Sequence, residues 1–158
     1  MIKDVRPTTG RALLALFSIL GNIEGKNFLD LFAGTGQVGR EALKRGAGSC
    51  VFVESVKSRA EAIRAKTEAT VLSLDIRRAI SWLVKREMKF DIIFADPPYN
   101  SGWCETLLTL QNLDKLFNPD CVFVFEHSVR EKLNPPPNFK ITSEREYGET
   151  CLTFLGMT

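Results

Sequence analysis

Apolar residues fall into short continuous blocks that alternate with stretches of helical periodicity. Leu13, Leu14, Leu16, Phe17 and Leu20 form one face of a helix that Thr8 or Thr9 can cap and Gly21-Asn22 can stop. Asn27–Leu31 is a first strand, followed by helical sequence through Arg45 that ends at Gly46. The pattern repeats with a strand over Ser49–Val53, a helix over Val56–Ala69, a strand over Thr70–Leu74 and a helix over Ile76–Met88. On the last of these, Ile80, Leu83 and Val84 face inward, while Arg77, Arg78, Lys85, Arg86 and Lys89 form a solvated outer face. Ile92–Ala95 and Cys121–Phe125 are further blocks, with an amphipathic helix predicted over Cys104–Phe117 between them. Blocks that are apolar throughout, rather than alternating, predict parallel strands buried on both faces. After the stiff Pro135-Pro136-Pro137 connector, Phe139–Tyr147 and Thr150–Leu155 predict an antiparallel hairpin around Gly148. Strand and helix in alternation predict an α/β fold on a mostly parallel sheet that ends in this hairpin.

With 158 residues, 44% hydrophobic and 25% charged, the chain is expected to form one domain over residues 1–158. The formal net charge of +2 is compatible with nucleic acid without demanding it. No apolar run reaches the roughly 18–20 residues of a membrane helix, and no signal-peptide core precedes a cleavage site, so a cytoplasmic protein is expected. The four cysteines are scattered, and His127 is the sole histidine, which excludes a structural zinc site and leaves no metal expected. Arg6 and Arg11 flank the start of the first helix with Thr8 between them, a place that attracts anions.

The candidate chemistry lies at the carboxyl ends of the strands, where open α/β sheets bind ligands. Asp96-Pro97-Pro98-Tyr99 ends the strand over Ile92–Ala95, and its prolines cannot extend a ladder. Asp96 and the following carbonyl offer acceptors for the two N–H bonds of a planar amine, and Tyr99 offers a face to stack on the ring behind it. Such a corner suits the exocyclic amine of a base taken out of its stack. An ordinary strand-ending turn is the competing reading of the corner alone.

Phe32-Ala33-Gly34-Thr35-Gly36 and Gly39 form a glycine-rich turn between strand and helix. Read literally the spacing is that of a dinucleotide loop, but Asp30 before the turn would repel a pyrophosphate and attract a cationic amine. Glu54, ending the second strand, can accept both hydroxyls of a ribose, and Asp75 ends the third. Four acids at four successive strand ends point to one site.

Together these motifs resemble known enzymes. The run Leu29–Gly36 is similar to the S-adenosylmethionine loop of Rossmann-like methyltransferases, and Asp96–Tyr99 is similar to their amino-methyltransferase motif. With Arg6-Pro7-Thr8-Thr9 and Tyr147-Gly148-Glu149-Thr150, nearly the whole chain resembles the bacterial family that methylates N2 of a guanine in 16S ribosomal RNA.

The resemblance implies a seven-stranded methyltransferase sheet, S-adenosylmethionine as cofactor, and 16S RNA or a small-subunit assembly intermediate as partner to a monomer. It implies that Asp30, Phe32, Ala33, Gly34, Thr35, Gly36, Glu54, Asp75 and Ile76 bind the cofactor. Asp30 would take its ammonium, Glu54 its ribose and Asp75 its adenine amine. It also implies that Asp96, Pro97, Pro98 and Tyr99 act on the guanine amine, and that Arg6, Thr8 and Arg11 contact substrate. Family members usually carry a basic hairpin before the Arg-Pro-Thr segment, so a trimmed or shortened RNA-binding edge is expected here. Gly10 stands where the family has an acid, and the Glu54–Asp75 region is shorter than usual. A methyltransferase of adenine or another amine, and an inactive RNA-binding relative, are the alternatives.

Overall fold

A computed structural model describes residues 10–158. Arg6 and Thr8, with the cap expected at Thr8 or Thr9, lie outside the described residues. Strand β1 (Asn27–Leu31) occupies the middle of a seven-stranded sheet, parallel to β2 (Ser49–Val53) on one side and to β4 (Phe90–Ala95) on the other. Beyond β2 lies β3 (Thr70–Leu72), and beyond β4 lies β5 (Phe117–Ser128), both parallel to their neighbours. The hairpin of β6 (Phe139–Tyr147) and β7 (Thr150–Met157) closes that end, with β7 antiparallel to β5. The order β3-β2-β1-β4-β5-β7-β6 reverses direction between β1 and β4, which opens a crevice at their carboxyl ends.

Both faces of the sheet are covered, as its apolar blocks require. Alternate strand residues Phe28, Phe52, Ile92, Phe94 and Val124 pack against α1 (Gly10–Leu20), α2 (Gln37–Lys44) and α3 (Lys57–Arg64). The opposite set, with Leu29, Leu31, Val51, Val53 and Ile93, packs against α4 (Ile76–Lys85) and α5 (Trp103–Thr109). Phe28, Phe52, Phe94 and Phe123 are almost wholly buried, each removing apolar surface worth about 2 kcal/mol or more from water.

Several boundaries depart from the sequence reading, each for a local reason. On α1 the buried residues are Ala12, Leu16 and Phe17, whereas Leu14 is 64% exposed. Helix α4 stops at Lys85 because Glu87 takes a left-handed φ of 55° and Met88 N donates back to Leu83 O. Helix α3 is shorter than predicted, ending at Arg64, and β3 covers only Thr70–Leu72. The helix expected over Cys104–Phe117 breaks in two. Leu110 is extended after α5, and a left-handed Asn112 starts a 3-10 turn over Leu113–Leu116. Strand β5 is longer than predicted: Phe117 pairs with Phe90, an irregularity with Asp120 at φ 64° intervenes, and pairing with β7 carries the strand on to Ser128.

Candidate active site

The register of the sheet determines which side chains meet. Leu31 on β1 is level with Val53 on β2 and Ala95 on β4, and Ala95 is level with Phe125 on β5. One residue further, Phe32, Glu54 and Asp96 leave β1, β2 and β4 at the level of Glu126 on β5. Glu54, Asp96 and Glu126 also share the alternation of Phe52, Phe94 and Val124, so they follow the α1–α3 face, as Asp30 does behind Phe28. An acid at the end of a parallel strand is thus one of a row.

The glycine turn is held by two of these acids. Phe32, Gly34 and Gly36 all have positive φ, at 56°, 60° and 78°, which turns the chain sharply from β1 into α2. Gly34 N donates to Glu54 Oε1 at 2.8 Å, and Val56 N donates to Glu54 Oε2 at 2.8 Å. Glu54 so ties the loop after β1 to the start of α3. Gly39 N donates to Asp30 Oδ2 at 3.0 Å, and a side chain at Gly39 would run into the Phe52 ring. The third glycine of the motif is required by close helix–sheet packing.

Asp30 is 1% exposed. Burial, reinforced by the charges of Glu54 and Glu126 and opposed by the Gly39 N–H, pushes its carboxyl up to about 7. At the corner after β4, burial first and then the Glu126 charge and hydrogen bond raise the Asp96 carboxyl well above the usual range. The Tyr99 hydroxyl lies 3.0 Å from Thr150 Oγ1 at the start of β7, which anchors the ring to the hairpin.

These groups line one cavity of about 720 Å³. Asp30, Glu54, Asp75, Asp96, Glu126 and Glu149 all face it, whereas Arg59 is the single basic residue among its described lining. Six carboxyl groups against one described basic residue suit a cation. Phe32, Ala33, Gly34, Thr35, Ile76, Pro97, Pro98 and Tyr99 also line it, so the structure brings together nearly the whole predicted set. Gly36 is buried behind the loop, packed on Ile63, and is not among the lining residues.

Other residues have additional or different placements. Asp75 caps α4, its Oδ1 accepting from Arg78 N at 2.9 Å, while lining the cavity from an exposed position. Arg11 is exposed on the first turn of α1, its guanidinium 5.8 Å from the Tyr147 ring centre. His127 is buried between Ser128 O and Thr153 Oγ1 and is a structural residue. Glu126 belongs to neither motif and is not among the site residues expected from the sequence. Its signal was available, as a fifth acid closing a fifth apolar block. Trp103, edge-on to Phe32 at 5.4 Å, is a second lining residue that the motifs do not announce. Among the described residues no His, Cys, Asp and Glu cluster is arranged to hold a metal, and no helix is long and apolar enough to cross a membrane.

A family model described as conserved hypothetical protein 95 matches residues 1–156. The chain belongs to this family. A Bacillus subtilis relative, YlbH, provisionally named an rRNA methyltransferase, is 35% identical over 93% of this chain and 85% of its own length. Ribosomal RNA small subunit methyltransferase D of Buchnera aphidicola is 32% identical over 86% of this chain and 72% of its own. An Escherichia coli structure provisionally described as a methyltransferase superposes with a TM-score of 0.82 at 24% identity, covering 97% of this chain and 88% of that one. That likeness establishes the Rossmann-like α/β fold, with its mostly parallel sheet and antiparallel end, that the sequence predicted.

Proposed function

We propose that the chain transfers a methyl group from S-adenosylmethionine to the exocyclic N2 amine of a guanine in 16S ribosomal RNA, naked or within a small-subunit assembly intermediate. The observation that carries this reading is the acidic cavity in which the Asp96–Tyr99 corner faces Asp30, Glu54 and the glycine turn. The relatives' names support ribosomal RNA as the substrate class.

The residues present fit the cofactor. A cavity of about 720 Å³ is within the range of small-molecule sites, and its carboxylates complement a ligand with a sulfonium and an ammonium group. When bound, S-adenosylmethionine supplies a methyl group activated by a positively charged sulfur. Asp30 would hold the ammonium, and the Phe32–Thr35 backbone would pass close to the ligand, with Gly36 shaping the turn from behind. Each Glu54 oxygen already accepts one backbone N–H and retains a lone pair for a ribose hydroxyl. Asp75 and Ile76 would meet the adenine end.

Asp96 and the Pro97 carbonyl would accept the two N–H bonds of the guanine amine, and Pro98 stiffens the corner. Tyr99, held through Thr150, would stack on the base. Such orientation alone is worth about 7–11 kcal/mol of barrier. Arg6, Thr8 and Arg11 would contact the RNA backbone.

The test supplies methyl-labelled S-adenosylmethionine with assembled small subunits, naked 16S RNA and DNA, and then identifies the modified nucleoside by mass spectrometry. N2-methylguanosine is expected. N6-methyladenine would replace the substrate assignment, and calorimetric binding of NAD in place of S-adenosylmethionine would sink the whole reading.

Asp30 also imposes a pH dependence. Free Asp30 titrates near 7, and a cation beside it needs the ionised form. Cofactor affinity should therefore rise with pH up to about 7 and level off above it, weakening up to about tenfold per unit below. Asp30→Asn should bind weakly with a flatter curve across this range, as calorimetry at several pH values would show.

A further inference from the structure

We propose that Glu149, on the turn of the terminal hairpin, selects the acceptor base: its carboxylate accepts the N1–H of guanine beside the amine held at Asp96, and Arg130, paired with it, donates to O6. This rests on the reading of the site as a guanine-N2 methyltransferase. It gives the Tyr147-Gly148-Glu149-Thr150 turn a function beyond anchoring Tyr99.

The backbone fixes the turn beside the acceptor corner. Tyr147 pairs with Thr150 across a two-residue loop, and Gly148 supplies the positive φ, 62°, that so short a hairpin requires. On its other side Thr150 pairs with Ser128 of β5, and Val129 N donates to Glu149 O at 3.0 Å. Thr150 Oγ1 lies 3.0 Å from the Tyr99 hydroxyl, so the residue after Glu149 is tied to the ring on which the base would stack. Glu149, Thr150, Tyr99 and Asp96 all line the one cavity. Arg130 Nη1 lies 3.3 Å from Glu149 Oε2, with the two side chains 79% and 71% exposed. An ion pair so open to water adds little to stability. With the turn already held by its backbone, the pair is available to a ligand.

The other acids of the cavity have different attachments. Asp30 and Glu54 are bound to the glycine turn and the helix after it, and Asp75 caps α4. Glu149 instead adjoins the residue that holds Tyr99. A base taken into a pocket is read along its pairing edge. In guanine that edge runs from the N2 amine to N1–H and then O6, two donors followed by an acceptor. Asp96 and the Pro97 carbonyl suit the amine, a carboxylate suits N1–H, and a guanidinium suits O6. In adenine and cytosine the ring nitrogen of the pairing edge beside the amine carries a lone pair and no hydrogen. A carboxylate there sets acceptor against acceptor, and neither group finds a partner. The grip on the amine accepts any of these bases. The pair beside it admits guanine.

The test uses small subunits reconstituted from 16S RNA that carries either guanine or 2,6-diaminopurine at the methylated nucleotide. The analogue keeps the 2-amine but makes N1 an acceptor and replaces O6 with a second amine. The wild type is expected to favour guanine about 100-fold or more in kcat/KM. Glu149→Gln, whose amide can turn an N–H toward N1, should lose about 10- to 100-fold on guanine and gain on the analogue, which brings the two within about tenfold. Calorimetric affinity for S-adenosylmethionine should stay within about threefold, since the pair serves the acceptor. An unchanged preference in a folded Glu149→Gln overturns the proposal. If that variant does not fold, Arg130→Met takes its place: its preference should fall about tenfold, and an unchanged one overturns the proposal equally. So does a wild type that methylates both bases alike. Glu126→Gln is run beside them, because Glu126 is the buried acid level with Asp96 on β5. Preference lost there and kept in Glu149→Gln moves the reader to β5 and overturns the assignment. A wild type that methylates neither 2-amine overturns the guanine-N2 reading itself, so the two failures are distinguishable.

Discussion

Replacing Asp96 with alanine is expected to lower kcat about 100- to 1,000-fold while S-adenosylmethionine affinity stays within about threefold. The asymmetry follows from where Asp96 sits. It is the first residue past β4, held by the Pro97-Pro98 corner, at the Tyr99 side of the cavity rather than at the glycine turn. On the proposed function its carboxylate is spent on the acceptor amine. Removing it takes away a charged hydrogen-bond acceptor and a proton sink, and it relieves repulsion among the remaining acids. Asp96→Asn keeps a carbonyl oxygen in the same place and should retain part of the rate, because an amide oxygen still accepts an N–H. Single-turnover kinetics beside calorimetry separates the two effects. Equal losses of binding and turnover in Asp96→Ala would mean that it serves the cofactor instead.

Gly39→Ala should destabilise the fold by about 1–3 kcal/mol, a fall in Tm of roughly 3–10 °C. A Cβ there would overlap Phe52 Cε1 and lie 2.8 Å from Cys50 Sγ, and neither neighbour has room to move. Phe52 is wholly buried and Cys50 nearly so. To relieve the clash, α2 must lift from β2, and that also stretches the bond from Gly39 N to Asp30. Cofactor affinity should fall together with stability. Gly10→Ala is the control, since a Cβ at Gly10 meets nothing within 4 Å and alanine favours a helix. Differential scanning calorimetry of both variants decides the matter. A Gly39→Ala protein that melts like the wild type would show that the contact has slack.

The sequence alone was most informative where one physical constraint dominates. Parallel strands buried on both faces must be apolar throughout, so β1, β2 and the carboxyl end of β4 could be placed at their observed bounds. The hairpin was legible because Gly148, with φ 62°, marks its turn. The glycine turn and the Asp96–Tyr99 corner were legible because prolines and positive-φ glycines leave few alternatives. Helix ends were less so. Glu87 and Asn112 take left-handed conformations that no glycine announces, and packing against the sheet decides where α4 and α5 stop.

The class of the fold, the acidic strand ends and the motifs of the candidate site follow from local sequence. Register follows from the pairing of distant segments. Local sequence cannot say that β5 lies beside β4 with Phe125 level with Ala95, because that pairing joins residues far apart in the chain. It makes Glu126 a neighbour of Asp96, buries His127 against Thr153, and brings Thr150 to Tyr99. Residue types show which chemistry is available. Strand pairing, fixed by the burial of two apolar faces at once, decides which of those residues meet.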